Sequence, residues 1–265
     1  MKKYLVLSPI ELNDVYQKKW VEGQKDFDFM LVNYSGLPRE RFSWCDYYYE
    51  VKGFKYEIIK KAVEANIDLI KKYDFIWCPD GDLDISTKEI NTLFRICREH
   101  KLNLAQPSVS NSLVMHFIVR RRPYCILRYV NFVELMCPVF SRETLFKVLD
   151  TFNLNRSGHG IDWLWAKRIG SKRMAIIDAV SVYHTRRPCS GSNYKQINSS
   201  SVSVREECLR LLSDYGLEEG YYKHYGSILR PWAKVLKLSL LPWFVENRLL
   251  KLQAKVCELR RGRRA

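Results

Sequence analysis

Three aspartates stand at every second position in "FIWCPDGDLDIS", which runs from Phe75 to Ser86: Asp80, Asp82 and Asp84. An apolar run that ends in clustered negative charge is either a turn or a place for a cation. Asp-Gly is a strong turn former. Two carboxylates two residues apart can also flank a divalent cation with hard oxygen ligands. A calcium-loop reading fails, because such a loop needs Gly at its sixth and Glu at its twelfth position. Ile85 and Asn91 stand there. The D-x-D pattern alone is weak, since Asp26-Phe27-Asp28 repeats it. A second residue type adds weight: His184 closes the apolar run "AIIDAVSVYH". Neutral imidazole suits Mn²⁺ better than Mg²⁺. A lone histidine after a strand is also commonly structural, so both readings stand. Together Asp80, Asp82 and His184 describe an open cation site completed by a ligand's own oxygens. Such a site suits a diphosphate.

Other residues raise similar questions. Glu134 is a lone acid in "NFVELMCPVFS" and needs a partner if buried. It binds a ligand's hydroxyls or makes a structural hydrogen bond. Arg120, Arg121 and Arg122 follow an apolar run, and Arg186 and Arg187 follow His184. Arginines so placed neutralise a diphosphate or an anionic acceptor, or form a solvated basic face. Lys52 and Lys55, close after the N-terminal strands, are candidates for nucleotide contact.

The elements that must position these residues alternate. "KKYLVLS", "DFDFMLVNY", "DYYYEVKG", "FIWC", "LNLAQPS", "SLVMHFIVRR" and "RMAIIDAVSVYH" read as strands. "FKYEIIKKAVEANIDLIKKY" has apolar residues at helical spacing and reads as one helix. Ser86 and Glu89 form a capping box before "TKEINTLFRICREH", and Ser141 caps "RETLFKVLDTF". "GHGIDWLWAKRIG" is a Gly-rich loop entering a short helix. After a Ser-rich loop, two or more helices run to the end. Alternation of this kind predicts an α/β fold with a mostly parallel sheet flanked by helices. In open sheets of that class, ligands bind at the carboxyl ends of strands. Asp80, Asp82 and His184 are all expected there. The expected boundaries are a catalytic domain over 1–190, then a linker and a basic amphipathic helical tail over 191–265.

The chain has 265 residues, 47% of them hydrophobic, and a formal net charge of +15. Residues 230–265 hold ten Lys/Arg and two Glu, so 10 − 2 = +8 of that excess lies in a short segment. Basic chains favour anionic company. That segment also carries Trp232, Trp243 and Phe244, and interfacial helices combine an apolar face, aromatic anchors and basic residues. An anionic membrane surface is therefore the expected partner of the tail; packing of its apolar face on the core is the rival. The first apolar run is too short for a signal-peptide core, and no stretch approaches membrane-spanning length. Eight cysteines without C-x-x-C pairing read as reduced core thiols. A cytoplasmic location at the inner membrane face is expected.

"FIWCPDGDLDIS", "AQPSVSNS", "FVELMCPVFSRETL", "GHGIDWLWAKR" and "AIIDAVSVYHTRR" occur in this order over roughly Lys2 to Arg187. As a set they resemble the domain-of-unknown-function 707 family, which is similar to GT-A nucleotide-sugar glycosyltransferases. The resemblance implies a GT-A-like α/β domain with Mn²⁺ or Mg²⁺ as cofactor. It implies that Asp82 binds the metal, that Asp80 binds the ribose or a metal-bound water, and that His184 completes the metal shell. It places Asp162 where the acceptor-activating acid of many inverting members lies. Many of those carry an acidic pair there, whereas this chain has Ile161-Asp162. Asp162 has a second reading as an N-cap for "WLWAKR". Gly158 and Gly160 would let backbone approach a sugar, and His159 either contacts the acceptor or is solvated.

The implied function is sugar transfer from a nucleoside-diphosphate sugar to a glycan or lipid-linked acceptor, in surface polysaccharide (capsule or lipopolysaccharide) synthesis. Asp162 and Glu134 are the catalytic candidates; Asp80, Asp82, Lys55 and Arg120 are the donor-binding ones. Two rival classes remain: a metal-dependent nucleotide-sugar hydrolase or phosphotransferase, and a basic nucleic-acid-binding protein. No recognisable RNA or DNA motif supports the latter, and no nucleic-acid partner is expected.

Overall fold

The computed structural model describes residues 2–10, 15–111, 114–170, 172–186, 197 and 202–235. The element order is β1 (Tyr4–Pro9), α1 (Val15–Trp20), β2 (Phe27–Asn33), β3 (Tyr47–Glu50), α2 (Lys55–Ala65), α3 (Ile67–Ile70), β4 (Phe75–Trp77), β5 (Leu83–Asp84), α4 (Thr87–Glu99), β6 (Leu104–Val109), β7 (Cys125–Val130), β8 (Val139–Ser141), α5 (Arg142–Val148), α6 (Ile161–Ile169), β9 (Met174–His184), α7 (Val204–Asp214), β10 (His224–Leu229) and α8 (Pro231–Val235).

One sheet runs in the order β10-β7-β9-β6-β8-β4-β1-β2-β3, and β5 pairs with β9 off this path. β4, β1, β2 and β3 are mutually parallel, as are β6 and β9. β8 lies antiparallel between β4 and β6, and β7 antiparallel between β9 and β10. Only β7 and β8 of this path therefore oppose the common direction, and the sheet is mostly parallel as expected. β1 is buried at all six positions, the pattern of a strand covered on both faces. Its side chains alternate between two cores. Tyr4 and Val6 join α4 through Leu93, Phe94 and Cys97 on one face. Leu5 and Leu7 join α2, α5 and α6 through Ile58, Leu145 and Trp165 on the other.

Local signals fix several of these elements. Ser86 accepts from the Glu89 amide while Glu89 returns to the Ser86 amide, the expected capping box of α4. Ser141 caps α5. The single helix read over 54–73 breaks at Asn66, whose backbone leaves helical geometry at φ −123° and ψ 33°, giving α2 and α3. Among the described residues of "SLVMHFIVRR", Phe117–Val119 is a 3₁₀ turn and not a strand. The place beside β9 belongs to β7, where Leu127, Arg128 and Tyr129 face Ile177, Ile176 and Ala175. The stretch after residue 190, expected as linker and tail, supplies α7, which packs through Leu211 and Leu212 into the cores, and β10, an edge strand of the same sheet. Residues 236–265, where most of the tail falls, lie outside the described residues. Six described cysteines are free, and all but Cys45 are buried. No described helix is long and apolar enough to cross a membrane.

The sheet buries one ion pair completely. Arg128 of β7 donates from Nε to Asp178 Oδ2 at 2.7 Å and from a terminal nitrogen to Oδ1 at 3.2 Å, with both side chains fully buried. Its remaining donors reach the carbonyls of Ile118 (2.9 Å) and Arg120 (2.8 Å). The Arg122 amide donates to Asp178 at 2.7 Å. Burial pushes the Asp178 carboxyl up, against the pull of Arg128. The pair locks the turn at 117–122 onto the β7–β9 ladder. Arg128→Met leaves a buried carboxylate without its cation. It is expected to cost roughly 3–5 kcal/mol, read as a lower urea midpoint at unchanged slope.

Candidate active site

The topology carries the predicted residues to one edge. β4, β6 and β9 end there, so the segments after Trp77 and Val109, and His184 itself, gather at the carboxyl edge of the sheet. β8 runs the other way, so Glu134 to Pro138, which precede it, lie at that edge too. Backbone bonds seal the junction: the Cys78 amide donates to Pro138 O and the Asp80 amide to Met136 O, both at 2.9 Å. The loop bearing Asp80 and Asp82 is thus zipped to the segment bearing Glu134.

Asp82 meets His184 because β5 turns back onto the end of β9. Leu83 pairs with His184 and Asp84 with Tyr183. The Thr185 hydroxyl donates to Asp82 O at 2.7 Å and Asn111 Nδ2 to His184 O at 2.7 Å. His184 Nε2 then lies 3.5 Å from Asp82 Oδ2, with both side chains buried. Asp82 Oδ1 is buried and takes no hydrogen bond. Burial alone would raise the Asp82 carboxyl. His184 and Arg186 outweigh it and hold the carboxyl below its ordinary range. An ionised carboxylate with an idle buried oxygen, beside an imidazole, is a fitting donor set for a divalent cation. Among the described residues no group of three or more His, Cys, Asp or Glu is arranged to hold a metal ion. Asp82 and His184 are two donors only and would leave the other coordination positions to a ligand and water.

Asp80 is set by Lys55, at the first turn of α2. Lys55 Nζ lies 2.7 Å from Asp80 Oδ1 and donates to Leu135 O at 2.8 Å and Met136 O at 2.9 Å. All three ammonium donors are engaged, so Lys55 acts as a clasp between three segments. Tyr56, the next residue, donates its hydroxyl to Leu135 O. Burial pushes the Asp80 carboxyl up; Lys55 opposes that and the neighbouring Asp82 reinforces it.

Two more acids face this cluster. Glu134 is 7% exposed. Its amide donates to Gln106 Oε1 at 2.5 Å, but its carboxylate takes no hydrogen bond among the described residues. Burial first, then the charge of Asp162, push it up to about 8. Asp162 is 2% exposed. Burial pushes it up to about 7, against hydrogen bonds from the backbone of Trp163 and Leu135. The electrostatic coupling of Glu134 to Asp162, His184, Asp80 and Lys55 places all five in one neighbourhood.

The N-cap reading of Asp162 is corrected: α6 begins at Ile161 and its N-cap is Gly160, at φ 94°. Asp162 sits in the first turn, and its Oδ1 accepts from the Trp163 amide at 3.0 Å. The glycine reading changes as well. A Cβ on Gly158 (φ 74°) would stand 2.9 Å from the Tyr56 ring, and one on Gly160 3.2 Å from Leu211. Their close approach is to protein, not to an open sugar site. His159 is half-buried, and burial pulls its pKa down.

Arg120 reaches the same edge through a bridge to Val109. Its guanidinium is exposed and lies 5.6 Å from the Phe117 ring, with Arg122 at 4.7 Å from that ring. Arg186 is within electrostatic reach of Asp82; Arg187 lies outside the described residues. The clasp by Lys55, the engagement of Tyr56 and the Arg128–Asp178 pair were not anticipated. Only Glu57 marks the start of α2 in the sequence, its carboxylate accepting from the Phe54 amide at 3.3 Å.

An open groove of about 1080 Å³ lies elsewhere, between α2 and α7, lined by Lys60, Lys61, Arg156 and Arg210 together with Glu57, Glu64, Glu207 and Asp214. Acids and bases balance there, and none of Lys55, Asp80, Asp82, Glu134, Asp162 and His184 lines it.

Comparison with solved structures finds S. aureus TarS residues 1–349, at TM-score 0.48 and 11% identity over 81% of this chain and 72% of that one. The same protein in complex with UDP-GlcNAc matches at 0.49 and 11% over 80% and 72%. A CMP:2-keto-3-deoxy-manno-octonic acid synthetase complexed with CTP matches at 0.40 and 11% over 66% and 88%. At TM-scores below 0.5 none of these likenesses bears on function. No curated protein matches the chain. A family model does match, across residues 11–217 and so through every site residue described above: the chain belongs to the DUF707 family of proteins of unknown function.

Proposed function

We propose that this protein is a metal-dependent glycosyltransferase, moving a sugar from a nucleoside-diphosphate sugar to a hydroxyl of a glycan or lipid-linked glycan. The observation that carries the reading is the pairing of two unlike acids at one sheet edge. Asp82 is buried beside His184 with its Oδ1 taking no hydrogen bond, and His184 and Arg186 hold its carboxyl below the ordinary range. Asp162 is held near neutrality by burial. Acids pushed apart in this way commonly divide charge stabilisation from proton transfer. The order of motifs that resembles GT-A transferases supports the same assignment.

Asp82 and His184 would hold Mn²⁺ or Mg²⁺, with Asp80 contributing directly or through water. When bound, the cation supplies positive charge against the departing diphosphate. The chain's own residues do the rest. Asp162 takes the proton of the acceptor hydroxyl, whose oxygen bonds to the anomeric carbon as the bond to the diphosphate breaks. The electron pair leaves with the nucleoside diphosphate. Asp162 suits a base because its pKa lies near working pH. The Trp163 and Leu135 amides hold its carboxylate in place. Lys55 fixes Asp80 and the 135–136 backbone, so the donor-side and acceptor-side acids keep their spacing. Glu134, its carboxylate without a hydrogen bond, is placed to accept from a sugar hydroxyl. Arg120 would add positive charge toward the diphosphate, and surface-polysaccharide synthesis is the setting such a transfer suits.

The direct test is a panel of nucleoside-diphosphate sugars with Mn²⁺, scored by melting temperature and by product analysis with and without acceptor mixtures. One donor is expected to raise the melting temperature only in the presence of metal. Release of free sugar that no acceptor diverts would assign a hydrolase instead. No shift with any donor would overturn the reading.

A further inference from the structure

The geometry points to a lipid-docking ledge formed by the turn at Arg120–Tyr124 and the short helix α8, fitted to an anionic phospholipid surface. Three observations on the described residues carry it. First, the two segments are one surface. Arg230 donates its amide to Tyr124 O at 3.0 Å, Leu229 pairs with Cys125, and Ala233 of α8 packs with Cys125 and Leu229 in a small cluster of its own. Second, the surface has one sign of charge. Residues 110–133 and 220–235 contain no Asp or Glu. Arg120, Arg121 and Lys234 are exposed, and the one buried arginine of this stretch, Arg128, is neutralised internally by Asp178. Third, Trp232 stands 49% exposed on α8, two residues before Lys234 in the chain. A half-exposed indole next to Lys and Arg is the pairing that interfacial segments use, ring in the headgroup layer and cations against anionic lipid. A single-stranded nucleic-acid site instead strings several aromatic faces along a groove; α8 offers one exposed ring, Trp232, and the other exposed rings of this stretch, Tyr225 and Tyr221, lie on β10 and before it.

The position gives the ledge its use. The Arg121 amide donates to Val109 O, and the next residue, Ser110, donates to Val182 O, two residues before His184. The ledge therefore lies on the same sheet edge as the cation-site residues and would hold that edge toward the membrane. The chain continues from α8 into 236–265, where eight Lys/Arg face two Glu, 8 − 2 = +6. The inference stands on the surface itself and does not require that the reaction be sugar transfer.

The test uses the full chain throughout, so the remaining tail is constant. Sedimentation is measured with vesicles of phosphatidylcholine containing phosphatidylglycerol, and with phosphatidylcholine alone. The unaltered chain is expected to sediment with the anionic vesicles only. Arg121→Gln/Lys234→Gln is expected to weaken partitioning about 25-fold, roughly fivefold for each basic residue at the surface. Trp232→Ala is expected to weaken it further. Lys88→Gln/Lys147→Gln, two exposed lysines on α4 and α5, is the control and is expected to change little. Melting temperature and donor-induced stabilisation should be unaltered in all of these variants, so loss of docking is separable from loss of the site. Equal partitioning of the ledge variant and the unaltered chain would overturn the proposal, as would an equal loss in the control. Preference for single-stranded RNA over vesicles, abolished by the same double substitution, would reassign the ledge to nucleic acid.

Discussion

Asp162→Asn is expected to lower sugar transfer by roughly 10²–10⁴-fold, the usual contribution of a positioned general base, while leaving the fold and donor binding nearly unchanged. Asn keeps an acceptor oxygen for the Trp163 amide, 3.0 Å away, so α6 keeps its first turn. What it lacks is the ability to take a proton. The pH profile makes the assignment sharper. The base must be ionised, and burial pushes Asp162 up to about 7. Transfer should therefore rise with pH through about 7 and level off above it. That limb should vanish in Asp162→Asn, whose residual rate stays flat. Stability moves in the opposite sense. A carboxyl whose folded pKa lies above its unfolded value of about 3.8 contributes stability that is full below that value and is lost as pH rises through about 7. Urea midpoints at pH 5 and pH 8 should differ less in the Asn variant than in the parent. A variant that transfers at the parental rate would remove Asp162 from the chemistry.

Asp82→Ala is expected to cost on the order of 10³-fold in turnover, the several kcal/mol that a cation supplies to a departing diphosphate. It should also abolish Mn²⁺ binding by calorimetry in the absence of donor. The fold should survive, because the contacts that seat this loop run through the Asp82 carbonyl and the Thr185 hydroxyl and amide. His184→Ala should be milder, since water can take one ligand position. Chelation by EDTA should reproduce the Asp82→Ala phenotype in the parent, and Mn²⁺ should restore it. Undiminished turnover in chelator would end the metal assignment, and with it the role given to Asp82.

Much of this site was legible because its residues follow strands. "FIWC" is a continuous apolar run and "AIIDAVSVYH" a long one interrupted only by Asp178 and Ser181, and a parallel sheet puts the residues at their ends, Asp80, Asp82 and His184, at one edge. Ser86 and Ser141 announced α4 and α5 through local capping chemistry. The elements that went unread lack such signals. β5 has two residues and β8 three, too short for any period to show. β7 contains Arg128, and a charge within an apolar run argues against a buried strand until its partner, fifty residues on, is known. β10 follows a helix and joins the sheet only through β7. The Lys55 clasp was hidden for a similar reason: two of its three partners are backbone carbonyls some eighty residues away. Gly158 and Gly160 are expected from the sequence to let backbone approach a sugar, whereas a Cβ at either position would meet Tyr56 or Leu211.

The two-residue ladder between β5 and β9 has a consequence for synthesis on the ribosome. Asp82 and His184 are separated by 184 − 82 = 102 residues, and they meet only when Leu83 and Asp84 find Tyr183 and His184. Pairings so distant in sequence bear a large loop-closure cost and form late. A nascent chain holding β1 to α6 can assemble the parallel strands β4, β1, β2 and β3 with contacts on both of their faces while its cation site is still half-built. Metal capture, on this topology, marks the arrival of β9 and not the collapse of the core. A manganese-binding signal followed during refolding should therefore lag behind the burial of Trp20 and Trp77, and chains ending before His184 should fluoresce as partly folded yet leave manganese in solution.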